Sequence, residues 1–338
     1  MRAISGESFS CQPLFPYSET RVSSEYSPTS GERLLAGFQM TAALKPVERR
    51  TRLAPAEFFA TYVKNAIPVA VTGALSGSVP VERWSLDYFR KLVGDQFVSV
   101  KYGDLSQLRS SSVLLSDYLD EVERYESGLA QDRAGAKDRP AYLHDVPLVS
   151  MLGGAVTDLA GLPAAYFPKW YGNQWWKFAQ FFLGPSGSVT PLHFDTLLTH
   201  NLFFQVAGRK RFILLRPGEA KYCYRRSWRW FAVDAETPDY AAHPLFRKAE
   251  PAGCVIGPGD MLYLPPGTLH QVRSLDCGIS FNVDWHTPDS AARGIAAVLS
   301  GMPLQNLYYN TLLALGLCTG ISADRILPFY RSYLNYRS

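Results

Sequence analysis

Gly187-Ser188-Val189-Thr190-Pro191-Leu192-His193-Phe194-Asp195 is the stretch on which the reading of this chain turns. If its second half is extended, His193 and Asp195 project to the same face, because side chains two apart on a strand share a side. An imidazole beside a carboxylate makes two thirds of a metal site, and the third ligand should come from a distant strand. His270 lies 75 residues beyond Asp195, just after Leu264-Pro265-Pro266-Gly267, which reads as a strand followed by a turn. Two histidines and one carboxylate on one face leave coordination positions open, the facial arrangement of non-haem Fe(II) oxygenases. His-x-Asp alone arises often by chance, and a lone histidine is more often a hydrogen-bonded core residue. The surroundings must therefore carry the argument.

Those surroundings are β-rich. Lys177–Leu183, Asn201–Val206, Lys210–Leu215, Cys254–Ile256, Met261–Leu264 and Gly278–Trp285 read as short strands. Gly184-Pro185-Ser186-Gly187, Ala207-Gly208-Arg209, Gly257-Pro258-Gly259-Asp260 and Pro265-Pro266-Gly267 punctuate them. Many short strands with such turns predict a mainly β protein with flanking helices, folded as a double-stranded β-helix or jelly roll. Asn201 to Leu214 reads as a hairpin, with Lys210, Phe212 and Leu214 on one face of its second strand. A lysine facing inward among apolar groups is costly unless it meets an anion. On the last strand, Ser280, Asn282 and Asp284 share a face opposite Phe281 and Val283.

Working outward, Ala54-Pro55-Ala56-Glu57-Phe58-Phe59 starts a helix and Ile67–Val71 is a strand. Ser85 is the candidate N-cap of the next helix, Phe97–Val100 a strand, Val113–Glu126 a helix and Gly128–Pro140 a loop. From Ser290 to Ser338 the pattern is helical, with Leu304, Leu307, Tyr308, Thr311, Leu312 and Leu315 in helical period. Four regions are expected: a Ser/Thr/Pro-rich, poorly ordered leader over 1–35, an N-terminal α/β elaboration over 36–140, the jelly-roll core over 141–289 and a C-terminal helical segment over 290–338.

Composition bounds the function. The 338 residues are 47% hydrophobic and 19% charged, which excludes a mainly disordered chain. The formal net charge of +4 falls short of a nucleic-acid signature. Five scattered cysteines exclude a disulfide framework and a cysteine zinc site, so a reducing, cytoplasmic setting is expected. No apolar run has the roughly 18 residues that a membrane span needs. The N-terminus lacks the apolar core of a secretory signal, and Glu7, Glu19, Glu25 and Glu32 argue against a transit peptide.

Taken together, these motifs resemble the JmjC/cupin-like family of Fe(II)- and 2-oxoglutarate-dependent oxygenases. Within it, the likeness is to the branch holding the asparaginyl hydroxylase of hypoxia-inducible factor and bacterial cupin-like relatives. It runs from about Ala54 to Trp285 and rests on Gly187–Asp195, on Val233-Asp234 through Pro244-Leu245-Phe246, and on Gly257–Pro266. The resemblance implies His193, Asp195 and His270 as Fe(II) ligands and catalytic centre. It implies Lys210, Thr190 and Tyr142 on the distal carboxylate of 2-oxoglutarate, and Asn201 and Asn282 beside that cosubstrate. The segment Thr196-Leu197-Leu198-Thr199-His200 is two residues longer than in that branch, which suggests a bulge or wider loop. It leaves open whether Asn201 or Thr199 lies beside the cosubstrate, and His200 reads as an exposed loop residue.

The implied activity is hydroxylation of an amino-acid side chain in a protein or peptide, with O2 as cosubstrate and succinate and CO2 as coproducts. A small metabolite or a tRNA base is the alternative target, and a non-catalytic cupin-like binding module the third reading. The resemblance also suggests a homodimer through the C-terminal helices. Lys221–Trp230 mixes bases with aromatics in a long connection and reads as a solvated loop packed on the barrel. Trp170, Tyr171, Trp175 and Trp176 read as core or cleft.

Overall fold

The computed structural model describes residues 44–107, 109–131 and 139–334. The expected leader over 1–35 and most of the Gly128–Pro140 loop lie outside the described residues.

Fourteen strands are seen among the described residues: β1 Lys45–Pro46, β2 Glu48–Arg50, β3 Val69–Val71, β4 Phe97–Lys101, β5 Ser110–Leu114, β6 Leu143–Pro147, β7 Ala179–Gly184, β8 Val189–His193, β9 His200–Ala207, β10 Lys210–Leu215, β11 Ala252–Ile256, β12 Met261–Leu264, β13 Leu269–Ser274 and β14 Gly278–Trp285. One sheet has the order β1-β11-β10-β13-β8, a second the order β2-β3-β12-β9-β14-β7-β6, and β4 pairs with β5 alone. The two large sheets face each other as a jelly roll with flanking helices, as the strand and turn pattern predicts.

Alternation of side chains sorts the residues into three layers. Between the sheets lie Tyr142, Phe182, Phe203, Phe212, Leu214 and Leu264. Behind the seven-stranded sheet, Leu183, Phe204, Phe281, Val283 and Trp285 pack against the helices. Behind the five-stranded sheet, Ile213 and Leu215 pack under Cys223, Phe231 and Phe246 of the long connection. Burying one such side chain contributes roughly 1.5–3 kcal/mol. On β14 the polar Ser280, Asn282 and Asp284 are left facing inward, and on β10 Lys210 does so.

Three expectations are corrected. Asn201–Leu214 is not a hairpin: β9 pairs with β12 and β14, whereas β10 pairs with β11 and β13. The turn at Gly208-Arg209 instead carries the chain from one sheet to the other. Gly208 has φ +69°, and a Cβ there would meet the Cys277 carbonyl oxygen at 2.2 Å, so glycine is required. The expected helix from Val113 begins as strand β5, and the helix proper is Leu115–Ala130. Finally, His200 is the first residue of β9 and is 2% exposed; its ring stacks on Trp285 and Tyr263.

Ser85 does cap its helix, its Oγ accepting from the Tyr88 amide at 3.1 Å. Tyr171 and Trp175 are core, with Trp170 and Trp176 packed against it. At the C-terminus the helices Pro288–Ala296, Leu304–Thr319 and Ala323–Leu334 follow β14.

Candidate active site

The neighbouring strands β8 and β13 place His193 directly opposite His270. Asp195 lies two residues past the end of β8, where Leu198 closes a turn by donating its amide to the Asp195 carbonyl at 2.9 Å. Leu198 holds φ +59° in this turn, an uncommon conformation for a branched residue. Ligand atoms of His193, Asp195 and His270 all lie within 4.8 Å of one another.

Both histidines are oriented from behind. Nδ1 of His193 sits 2.8 Å from the Pro191 carbonyl and Nδ1 of His270 sits 3.1 Å from the Thr268 carbonyl. A carbonyl only accepts, so each Nδ1 carries the hydrogen and each Nε2 presents its lone pair forward. Trp230 stacks on the His193 ring at 4.9 Å, and the Asn201 amide donates to Asp195 Oδ2 at 3.1 Å. Burial, with His270 and Arg229 close by, holds the His193 imidazole well below its ordinary pKa, so it stays neutral and able to ligate. Two imidazoles and one carboxylate suit a divalent first-row ion, and the set fits Fe(II).

The triad borders a cavity of about 580 Å³, its open mouth included. At one end lies Lys210, 2% exposed. Its Nζ donates to Tyr142 OH and Ser280 Oγ, both at 2.8 Å, and sits 5.0–5.4 Å from the ring centres of Tyr142, Phe182 and Phe203. Burial pushes this amine down from its ordinary 10.5 to about 7. Two neutral hydroxyls do not balance a buried ammonium, whereas a ligand carboxylate would. The donor set therefore fits one carboxylate of 2-oxoglutarate.

The cavity gathers every residue named from the sequence for this site: Tyr142, Thr190, His193, Asp195, Asn201, Lys210, His270 and Asn282. Asn201, and not Thr199, lines it. It also gathers residues that the sequence reading left unassigned. His144 approaches the Thr190 hydroxyl with Nε2 at 3.3 Å and stands edge-on to Tyr142 and Phe182. Burial and then Lys101 hold His144 well below its ordinary pKa. Asp145, Gln180, Arg229 and Asp284 complete the wall. Burial first, then Asp195 and Asp145, raises the Asp284 carboxyl well above the usual carboxylate range. Ser280 could have been found from the inward alternation on β14. His144 and Asp145 carry no such signal, because β6 shifts register between Leu143 and Val146.

A jelly roll with a two-histidine, one-carboxylate site beside a buried lysine defines a class: the metal-dependent oxygenases built on a cupin scaffold. A family model described as "Cupin-like domain" matches residues 55–291. The chain belongs to this cupin-like JmjC family, whose members use Fe(II) with 2-oxoglutarate and O2. It is similar to lysine-specific demethylase JMJ30 of Arabidopsis thaliana, 29% identical over 71% of this chain and 55% of that protein. It is also similar to lysine-specific demethylase 8 of Danio rerio, 29% identical over 60% of this chain and 48% of that protein. A third relative is human tRNA wybutosine-synthesizing protein 5, 25% identical over 72% of this chain and 79% of that protein. The chain thus spans about half the length of the two demethylases. Among the described residues, no helix is long and apolar enough to cross a membrane.

Proposed function

We propose that this protein is a 2-oxoglutarate-dependent oxygenase that hydroxylates an amino-acid side chain of a protein or peptide. One observation carries the reading: the His193, Asp195 and His270 donors converge beside a cavity whose other end holds a fully buried lysine. A binding module has no use for a buried ammonium and three convergent ligands in one cavity.

In this reading His193 and His270 hold the ion through Nε2 and Asp195 through a carboxylate oxygen. Lys210, Tyr142 and Thr190 take the distal carboxylate of 2-oxoglutarate, with Asn201 and Asn282 alongside. Bound Fe(II), 2-oxoglutarate and O2 supply the oxidising power, and succinate and CO2 leave. The chain positions and shields. Phe182, Phe203, Phe212 and Leu264 keep water from the cosubstrate, and Asn201 fixes the rotamer of Asp195.

Two of the relatives bear the name of lysine-specific demethylases, which supports a protein target. A tRNA target is the second reading. It is favoured by the match to 79% of the human wybutosine-synthesizing protein and by the exposed Arg225 and Arg226 of the 221–230 connection. Succinate formation over uncoupled turnover separates them when peptide libraries, bulk tRNA and metabolite extract are supplied in parallel. Peptide-dependent product with an added oxygen mass supports the first reading, and stimulation by tRNA alone overturns it.

A homodimer is part of the same proposal. Leu304, Tyr308 and Leu315 are exposed along the helix Leu304–Thr319. A second copy covering that stripe would appear as a dimer in sedimentation velocity; a monomer at micromolar concentration would contradict it.

A further inference from the structure

His193 and His270 stand on paired strands, but Asp195 lies past the end of β8 and is held from elsewhere in the chain. Its neighbour Thr196 is gripped from two sides. The Thr196 carbonyl accepts from Trp228 Nε1 at 3.0 Å and from Asn306 Nδ2 at 3.3 Å. The same Nδ2 donates to Thr196 Oγ1 at 2.9 Å, so both hydrogens of the Asn306 amide go to one residue, 110 positions away in sequence. Thr196 lines the cavity, and the fully buried Asn306 stands behind it. Asn306 belongs to the helix Leu304–Thr319, beyond residue 291 where the match to the cupin-like family model ends.

Burial alone does not call for an asparagine at 306. Its Oδ1 is buried without a hydrogen-bond partner, a cost that a leucine of similar shape would avoid. Asn310, one turn further on the same buried face, serves another contact: its Oδ1 meets His286 Nε2 at 3.1 Å, just past β14. The helix Pro288–Ala296 closes on the Asp195 turn through Gly294, where a Cβ would come within 3.0 Å of the Leu197 carbonyl oxygen. The two helices thus back the turn, and Asn306 grips it by hydrogen bonds.

We propose that Asn306 is a positioning residue for the metal centre: by holding both oxygens of Thr196, it sets the backbone from which the Asp195 carboxylate faces the two imidazoles. Asn201 donates to Asp195 Oδ2 and fixes its rotamer; Asn306 fixes the peptide behind it. A carboxylate that strays from the converged geometry binds an ion less well, which is how hydrogen bonds behind the ligands tune affinity. Trp228 shares the Thr196 carbonyl, so loss of Asn306 loosens the turn without freeing it. The inference rests on the triad being a metal site, and it adds to that site a residue from outside the matched domain.

Titration of metal-free protein with Co(II), read by calorimetry and by visible absorption, tests it. Asn306→Leu removes both donors and keeps the volume. It should weaken Co(II) binding roughly tenfold to a hundredfold and alter the d–d spectrum of the bound ion. The unfolding temperature of the metal-free variant should shift by no more than about 4 °C, because the leucine also removes the unpaired Oδ1. Asn310→Leu, on the same helix, is the comparison: it should lower the unfolding temperature and leave Co(II) affinity and spectrum as in wild type. Thr196→Val deletes the hydroxyl end of the contact and should weaken Co(II) binding in the same direction. Wild-type affinity and spectrum in N306L, or in T196V where N306L does not fold, overturn the proposal. An equal loss in N310L also overturns it, because the effect would then belong to helix packing. D195A keeps the two ideas apart. No Co(II) binding by wild type, or binding as tight in D195A, sinks the triad reading itself. A defective D195A beside an unchanged N306L sinks only the role of Asn306.

Discussion

The two ends of the cavity are built by different means. At the closed end, Lys210 and Ser280 stand on the regular strands β10 and β14, and Tyr142 immediately precedes β6. At the other end, Asp195 stands on a turn, Asp145 on a register shift and Trp230 on a long connection that touches β8 by one isolated bridge. Regular strands thus carry the lysine end and both histidines, while a turn, a register shift and a long connection carry Asp195, Asp145 and Trp230.

That contrast can be broken by substitution. Asp195→Ala should have the largest effect, because it removes a proposed ligand and the partner of Asn201 together. Succinate formation should fall at least a thousandfold and bound iron, read by metal analysis, should drop with it. Full turnover in D195A would show that the triad is not the metal site.

Lys210→Met should come next. It removes charged hydrogen bonds worth about 1.5–3 kcal/mol each, so the Michaelis constant for 2-oxoglutarate should rise roughly ten- to a hundredfold with metal content unchanged. The same amine predicts a pH effect. Its folded-state pKa of about 7 lies below the ordinary 10.5. Between those values the unfolded chain holds a proton that the folded chain has released, so this group's contribution to stability rises with pH through that window. A carboxylate bound beside it draws the proton back. Cosubstrate binding at pH 8 should therefore take up close to one proton, seen by calorimetry in buffers of different ionisation enthalpy, and K210M should take up none.

Ser280→Ala should have the smallest effect. It deletes one of two hydroxyl partners of Lys210 and leaves the amine's bond to the cosubstrate carboxylate in place, so cosubstrate affinity should fall less than in K210M, about tenfold or less. A loss as large as that of K210M would mean that the closed end is one coupled unit.

The same contrast decided what the sequence could show. β10, β12 and β14 carry the bounds read from their alternation and flanking turns, and with them the inward face of Lys210 and of Ser280, Asn282 and Asp284. Strand partners are not legible: local alternation says which face is buried, not which sheet a strand joins, so Asn201–Leu214 reads as a hairpin although β9 and β10 join different sheets. The sites on His144 and Asp145 were hidden for a related reason, since a register shift changes the face of the residues after it. Motif and spacing imply that His193 and His270 converge. The cause, direct opposition of β8 and β13, requires the tertiary pairing.

The central claim is that two imidazoles and one aspartate hold ferrous iron within reach of a 2-oxoglutarate whose far carboxylate meets Lys210. Anaerobic titration of the protein with Fe(II) and 2-oxoglutarate, followed by visible absorption, tests it most directly. A metal-to-ligand charge-transfer band that saturates at one iron per chain, and that is lost in His193→Ala, is the predicted result. Absence of the band at saturating iron and cosubstrate, or its persistence undiminished in H193A, would contradict the account.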